Sequence, residues 1–269
     1  MSTAPRKLAI SGASGRMGQR LVRLVRENPD FELTGALESP DSPNLGKDAG
    51  LVAGVGDIGV AVTSDFAAAT AGAEAFLDFS TPDAVDENIV LAAEKKIPAI
   101  IGVTGLGEDT LGKLLAASQK IPILHAPNMS FGINLLYRTV EEIAGRLGRE
   151  YDIEIIEAHH NKKKDAPSGT ALAIFEKLRA ARNYPEDSAK PGRVGAVGPR
   201  PRKEIGIHAV RAGAIVGDHT VLFAGPGEVI EVTHRAQSRD AFATGALKAS
   251  LLMVGKAPGL YSFSDVMGF

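Results

Sequence analysis

Hydrophobic residues recur in two rhythms along the 269-residue chain. In the first half, short apolar runs alternate with amphipathic stretches. Leu8-Ala9-Ile10, Phe31 to Glu38, Ala75 to Phe79, Ala99 to Val103 and Ile121 to His125 read as strands. Between them, Met17, Leu21, Leu24 and Val25 share one helical face, as do Val85, Ile89 and Ala92. Another helix is predicted over Glu108 to Ser118, and Asn28-Pro29 stops the first one. Pro40 to Gly59 reads as a loop and Val60-Ala61-Val62 as a short strand before a small helix. Strands alternating with helices predict βαβ units around a parallel sheet, with right-handed crossovers placing helices on both faces. Ligands of such sheets bind beyond the carboxyl ends of the strands. Every predicted tip there is glycine-rich or polar.

The rhythm changes near Met129. Gly132 to Leu147 predicts a long helix with Leu136, Val140, Ile143 and Leu147 on its apolar stripe. Tyr151 to Ala158 reads as a strand, and Thr170 to Arg182 as a helix with Leu172, Phe175 and Leu178 inward. Tyr184 to Lys203 reads as a long loop. Ile205 to Arg211, His219 to Ala224 and Val229 to Arg235 alternate as strands without helices between them, which predicts an antiparallel or mixed sheet. A last helix is predicted over Asp240 to Val254. The fold class is therefore α/β: a Rossmann-type parallel sheet domain plus a second α+β domain with a mixed sheet.

Composition narrows the function classes. Lysine plus arginine number 30 and aspartate plus glutamate 32, a net charge of −2. A nucleic-acid binder would carry a basic excess. No cysteine is present, so disulfides, thiolate metal sites and a cysteine nucleophile are excluded. No apolar run approaches the roughly 18 residues of a membrane span, and Met1 to Lys7 lacks a signal peptide's apolar core. The expectation is a cytoplasmic protein with no membrane partner. Glycine is abundant, with 30 residues.

Gly12-x-x-Gly15-x-x-Gly18 joins the first predicted strand to the first helix. Such a loop lets a pyrophosphate approach the backbone and the helix amides, although any tight strand-to-helix turn also uses glycine. Glu38 ends the second strand, where a carboxylate can accept hydrogen bonds from an adenosine ribose. Residue 39 is Ser, so no adjacent cation awaits a 2′-phosphate, and Arg16 is the one nearby basic candidate. The pattern favours NADH over NADPH.

The densest chemistry is Glu157-Ala158-His159-His160-Asn161-Lys162-Lys163-Lys164-Asp165-Ala166-Pro167-Ser168-Gly169-Thr170. Histidine exchanges protons near neutral pH, and lysine can neutralise a carboxylate or act as an acid. Ser168-Gly169-Thr170 has helix-capping chemistry, and a helix start binds carboxylates. Lys162 and Lys164 read as a solvated basic turn. A metal site is disfavoured because no third ligand stands at a recognisable spacing. A serine hydrolase is disfavoured because no G-x-S-x-G elbow exists. A semialdehyde dehydrogenase forming acyl intermediates would need a cysteine. A non-catalytic NAD sensor would not need the His and Lys groups.

This segment resembles the E-x-H-H-x-x-K-x-D-A-P-S-G-T signature of the 4-hydroxy-tetrahydrodipicolinate reductase (dihydrodipicolinate reductase) family. Gly12 to Gly18 resembles that family's G-x-x-G-R-M-G loop. Gly102-Val103-Thr104-Gly105 resembles its second nucleotide loop, with Val103 where Thr is common, and Ala126 to Gly132 its A-x-N-x-S-x-G segment. The resemblance implies NAD(P)H-dependent reduction of a cyclic dicarboxylate imine in the diaminopimelate and lysine pathway, without a metal. It implies a nucleotide-binding domain of residues 1–129 and 240–269, and a substrate-binding and oligomerisation domain of residues 130–239. Nucleotide contacts are implied at Gly12, Ala13, Ser14, Gly15, Arg16, Met17, Glu38, Gly102, Val103, Thr104, Ala126, Pro127, Asn128 and Met129. Substrate contacts are implied at His160, Lys163, Gly169 and Thr170, joined by Ser168 from the helix start. His159 and Lys163 are the implied acid/base residues, and Arg239 is placed near the nicotinamide. A homotetramer is the implied assembly.

Overall fold

The computed structural model describes residues 4–268. The chain divides into two compact units: one holds the residues up to Ser130 and from Arg239 onward, the other Phe131–Ser238.

The first unit is built on a seven-stranded, wholly parallel sheet. Its strands are β1 (Arg6–Ser11), β2 (Phe31–Leu37), β3 (Val62–Thr63), β4 (Ala75–Asp78), β5 (Ala99–Ile101), β6 (Pro122–His125) and β12 (Gly259–Tyr261), in the order β12-β6-β5-β4-β1-β2-β3. The order reverses at β1, between β4 and β2, so the Gly12 loop leaves the sheet at its switch point. Strands β4 and β5 are buried throughout, as a sheet covered on both faces requires. The covering helices include α1 (Arg16–Glu27), α4 (Pro82–Glu94), α5 (Glu108–Ala117) and α8 (Asp240–Met253). Val85, Ile89 and Ala92 of α4 pack with Phe76, Ala99 and Ile101 in one core. Thr81 caps α4 through its side chain, with Pro82 as the first helical residue.

Three short elements escape the sequence pattern, and a fourth is the small helix expected after Val60-Ala61-Val62. Helix α2 (Ala49–Ala53) lies inside the expected Pro40 to Gly59 loop, held by the Asp48 side chain, which accepts from Gly50 N and Leu51 N. Helix α3 (Phe66–Ala69) is capped by Asp65 in the same way. After α8 the chain adds β12 beside β6 and then α9 (Phe263–Met267), which opens with a Ser262–Asp265 capping box.

The second unit carries a five-stranded mixed sheet. Its strands are β7 (Asp152–His159), β8 (Ala189–Pro191), β9 (Ile205–Arg211), β10 (Gly217–Ala224) and β11 (Val229–Ala236), in the order β11-β10-β7-β9-β8. Strand β10 runs antiparallel to β7 and β11, whereas β9 runs parallel to β7 and β8. Helices α6 (Phe131–Arg146) and α7 (Gly169–Arg182) bury Leu136, Val140, Ile174 and Leu178 against Ile153, Ile155, Val221 and Phe223. Leu172 departs from the expected stripe and is exposed; Ala171, Ile174, Phe175 and Leu178 face the core instead. The period through Phe175 and Leu178 leads back to Ala171, one residue before Leu172. Part of the expected Tyr184 to Lys203 loop is strand β8, preceded by a 3-10 turn at Glu186–Ser188. Among the described residues, no helix is long and apolar enough to cross a membrane.

Candidate active site

Gly12 N and Ala13 N both donate to Leu37 O, at 3.0 and 3.2 Å, binding the glycine loop to the end of β2. The glycines serve the protein's own packing first. A Cβ on Gly12, whose φ is +70°, would lie 2.7 Å from Phe79 O, and one on Gly18 would lie 2.1 Å from Gly12 O. Gly102 is fixed similarly, because a Cβ there would strike the Phe79 ring at 2.2 Å. Gly15 is exposed and starts α1 with no side-chain cap. Glu38 does more than end β2: its Oε1 accepts from Ser14 N at 2.7 Å and its Oε2 from Ser39 N at 3.2 Å. A carboxylate has about four acceptor sites, so Glu38 keeps capacity for a ribose hydroxyl.

Gly12, Gly15 and Glu38 line a cavity of about 610 Å³ together with Ser39, Asp65 and Lys95. Arg16, Met17, Gly102, Val103, Thr104, Ala126, Pro127, Asn128 and Met129 line a second cavity of about 460 Å³. Arg16 thus lines the second cavity, and the basic residue lining the Glu38 cavity is Lys95, which the sequence pattern did not single out. Phe79, Ser80 and Thr81 border both cavities. Their signal was the polar tip of the predicted strand Ala75 to Phe79. Beneath them Asp78 is fully buried, accepting from Ser80 N and Oγ and from Asn88 Nδ2, while Asn88 also reaches Ser11 Oγ. Burial dominates there and pushes the Asp78 carboxyl above its ordinary value. His125 hydrogen-bonds the Val103 backbone and steadies the second loop.

These residues fit a dinucleotide. The start of α1 carries no acidic side chain in its first turn, Gly15 is open, and the Ser14 hydroxyl is buried with no hydrogen-bond partner among the described residues. Amides, a helix dipole and a spare hydroxyl suit a pyrophosphate. Arg239 is the residue preceding α8 and does not cap it.

The second unit gathers the His-His-Lys segment. Strand β7 ends at His159, so His160 falls outside it. Alternate residues of a strand share a face, which puts Glu157 and His159 on the helix-covered side. Glu157 is 0% exposed. Its Oε2 meets His159 Nδ1 at 2.6 Å and Arg211 Nη1 at 2.8 Å; its Oε1 accepts from Arg211 Nη2 at 2.8 Å and Ser168 N at 3.0 Å. Burial raises the Glu157 carboxyl, but the hydrogen bonds from Arg211, His159 and Ser168 outweigh it and hold the group below its ordinary range. Beside it, the His219 ring stands edge-on to His159 with centroids 5.2 Å apart. Burial first, and His159 next, push the His219 imidazole down to about 3.

Ser168 caps α7: its Oγ accepts from Ala171 N at 3.2 Å and lies 3.2 Å from His219 Nε2. Gly169 and Thr170 are the first two helical residues. Tyr137 of α6 hydrogen-bonds the Thr170 side chain, and burial pushes its own hydroxyl up to about 12. Lys163 is half-buried with Nζ 2.9 Å from Asp165 Oδ2, whereas Lys162 and Lys164 are exposed. Asn161 N donates to Gly213 O and Lys163 N to His160 O, which fixes the turn after β7. The peptide bond before Pro167 is cis. Glu157, Arg211, His219 and Tyr137 were not singled out as site residues in the sequence; the first stands within the recognised segment, and Arg211 and His219 in later predicted strands. The arrangement can donate a proton beside a helix start suited to a carboxylate.

Comparison with known proteins agrees with this fold. Residues 6–129 match the family described as dihydrodipicolinate reductase, N-terminus, and residues 132–267 the one described as dihydrodipicolinate reductase, C-terminus. A 4-hydroxy-tetrahydrodipicolinate reductase of Anaeromyxobacter dehalogenans (strain 2CP-C) is 44% identical over 263 residues, 97% of both chains. That of Geobacter sulfurreducens is 45% identical over 264 residues, 97% of this chain and 98% of the other. A solved dipicolinate-bound dihydrodipicolinate reductase from Paenisporosarcina sp. TG-14 superposes with a TM-score of 0.78 at 26% identity, covering 97% of this chain and 98% of that one. With both of its halves matched and relatives aligned over nearly its whole length, the chain belongs to the dihydrodipicolinate reductase family.

Proposed function

We propose that this chain reduces 4-hydroxy-tetrahydrodipicolinate to tetrahydrodipicolinate with loss of water, in the cytoplasm, within diaminopimelate and lysine formation. The observation that carries the reading is the Glu157-bound His159 at the end of β7, tied through Ser168 to the start of α7. A proton donor and a carboxylate-binding helix start are thereby held by one buried group. The names of the relatives and the dipicolinate in the solved neighbour support a small cyclic dicarboxylate as substrate.

When bound, NAD(P)H would supply the hydride for ring C4 of the unsaturated ring left by water loss. The Gly12 to Met17 loop and the start of α1 would hold its pyrophosphate, and Glu38 would accept from its adenosine ribose. Gly102, Val103, Thr104 and Ala126 to Met129 would hold the rest of the dinucleotide. In the second unit, Ser168, Gly169 and Thr170 take one substrate carboxylate, while His160 and Lys163 donate charge-assisted hydrogen bonds. His159 or Lys163 gives the proton that C3 gains, work worth about 10²–10⁴ in rate. NADH is favoured, because a 2′-phosphate would meet Glu38 and Asp65 with only exposed Lys95 to offset them. The reading includes a homotetramer assembled through the five-stranded sheet, to be checked by sedimentation equilibrium.

The test supplies the condensation product of pyruvate and aspartate semialdehyde and follows loss of reduced-nicotinamide absorbance. Turnover with a higher kcat/KM for NADH is expected. No turnover with either cofactor overturns the reading, and a strong NADPH preference overturns the Glu38 argument.

A further inference from the structure

We infer that Glu157 is a positioning residue for the proton transfer: it fixes the proton on His159 Nδ1, leaves Nε2 as the donating nitrogen, and sets the start of α7 with the same carboxylate. The inference rests on the reductase reading with His159 as the acid.

The carboxylate is saturated. Its four contacts, two from Arg211 and one each from His159 Nδ1 and Ser168 N, use its acceptor sites in full. A fully buried charge is costly unless paired and hydrogen-bonded, and the Arg211 fork supplies both. The fork alone would satisfy the charge. What remains goes to the imidazole and to the helix start, so the ring cannot rotate without stranding a buried acceptor.

A second observation concerns the other nitrogen. A Cβ built on Gly217 would lie 3.1 Å from His159 Nε2. Glycine there leaves open the space beside the nitrogen that Glu157 does not hold.

The charges around the ring come from each packed element. Arg211 of β9 faces Glu157; His219 of β10 lies edge-on to His159; His234 of β11 acts on His219; Lys163 and Asp165 pair in the turn after β7. His219 stays neutral at working pH and adds no competing cation. In the transfer, the Nε2–H bond breaks, its electron pair stays on the ring, and a C–H bond forms at C3. The ring becomes neutral and keeps its Nδ1 proton. Glu157 remains an anion throughout, held by Arg211.

Two measurements test this. In the parent protein, long-range proton–nitrogen NMR of the imidazoles, with His159 assigned by its loss in His159→Gln, should show the neutral ring protonated at Nδ1. A ring protonated at Nε2 alone would overturn the inference whatever the turnover assay gives. In Glu157→Gln, kcat should fall about tenfold or more near neutral pH. The pH profile of the variant should differ from the parental one, because the buried carboxylate facing the ring is gone. Glu157→Asp should recover part of both. A Glu157→Gln enzyme with the parental pH profile overturns the inference. A parent without reductive turnover sinks the reductase reading instead and leaves the NMR result standing by itself.

Discussion

At the residue scale, the glycines separate into those the fold demands and those left for a ligand. Gly12, Gly18 and Gly102 have no room for a Cβ because the chain's own atoms occupy it. Their spacing was readable in the sequence, but the reason for Gly12 and Gly102 was not, since Phe79 lies far along the chain from both. Gly169 differs: nothing of the protein lies within 4 Å of a Cβ there, and the residue is exposed. Gly169→Ala should therefore leave Tm unchanged while raising KM for the dicarboxylate about tenfold, the effect of roughly 1.4 kcal/mol. Thermal unfolding and steady-state kinetics on the same preparation check both halves; an unchanged KM would remove Gly169 from the substrate site. Glu157 shows the opposite limit of reading. A carboxylate two residues before a strand end reads as solvated, and its burial depends on Arg211, 54 positions away.

At the element scale, legibility followed the source of each element's stability. Helices α1, α4 and α7 have an apolar face or a capping residue that is local, and the sequence places them closely. Strands β8 and β12 are three residues each and exist through pairing with β9 and β6. Strand β8 even ends in Pro191, which only an edge tolerates. The loop following β8 is held by a second acidic hub. Glu154 of β7 takes Arg193 on both oxygens, Arg200 Nε and His208 Nε2. Burial raises its carboxyl, yet these partners lower it to about 2 from an ordinary value of 4.5. A depressed carboxyl stabilises the fold above its unfolded value and loses that contribution as pH falls toward the folded one. The loss is therefore expected between about pH 4.5 and pH 2, worth on the order of 1–3 kcal/mol after solvent screening. Glu154→Gln should flatten the acid dependence of denaturant-unfolding free energy in that window. An identical pH dependence in parent and variant would show that the hub contributes nothing.

At the scale of the whole molecule, two units carry two kinds of chemistry. The parallel unit brings together a glycine loop, Glu38 and two cavities suited to a dinucleotide. The mixed-sheet unit joins a histidine and a helix start through one buried glutamate, with a half-buried lysine paired to Asp165 in the turn beside them. The recognised His-His segment was legible because its residues are nearly contiguous from Glu157 to Thr170. The groups that tune it, Arg211 and His219, come from β9 and β10 and enter only through the sheet. The central claim is that His159 and Lys163 carry the proton step of a nicotinamide-dependent imine reduction. Its most direct test is kcat on the pyruvate–aspartate semialdehyde condensation product for the parent, His159→Gln and Lys163→Ala. The account predicts turnover in the parent and a loss of about 10²-fold or more in at least one variant. Parental kcat in both variants would contradict it.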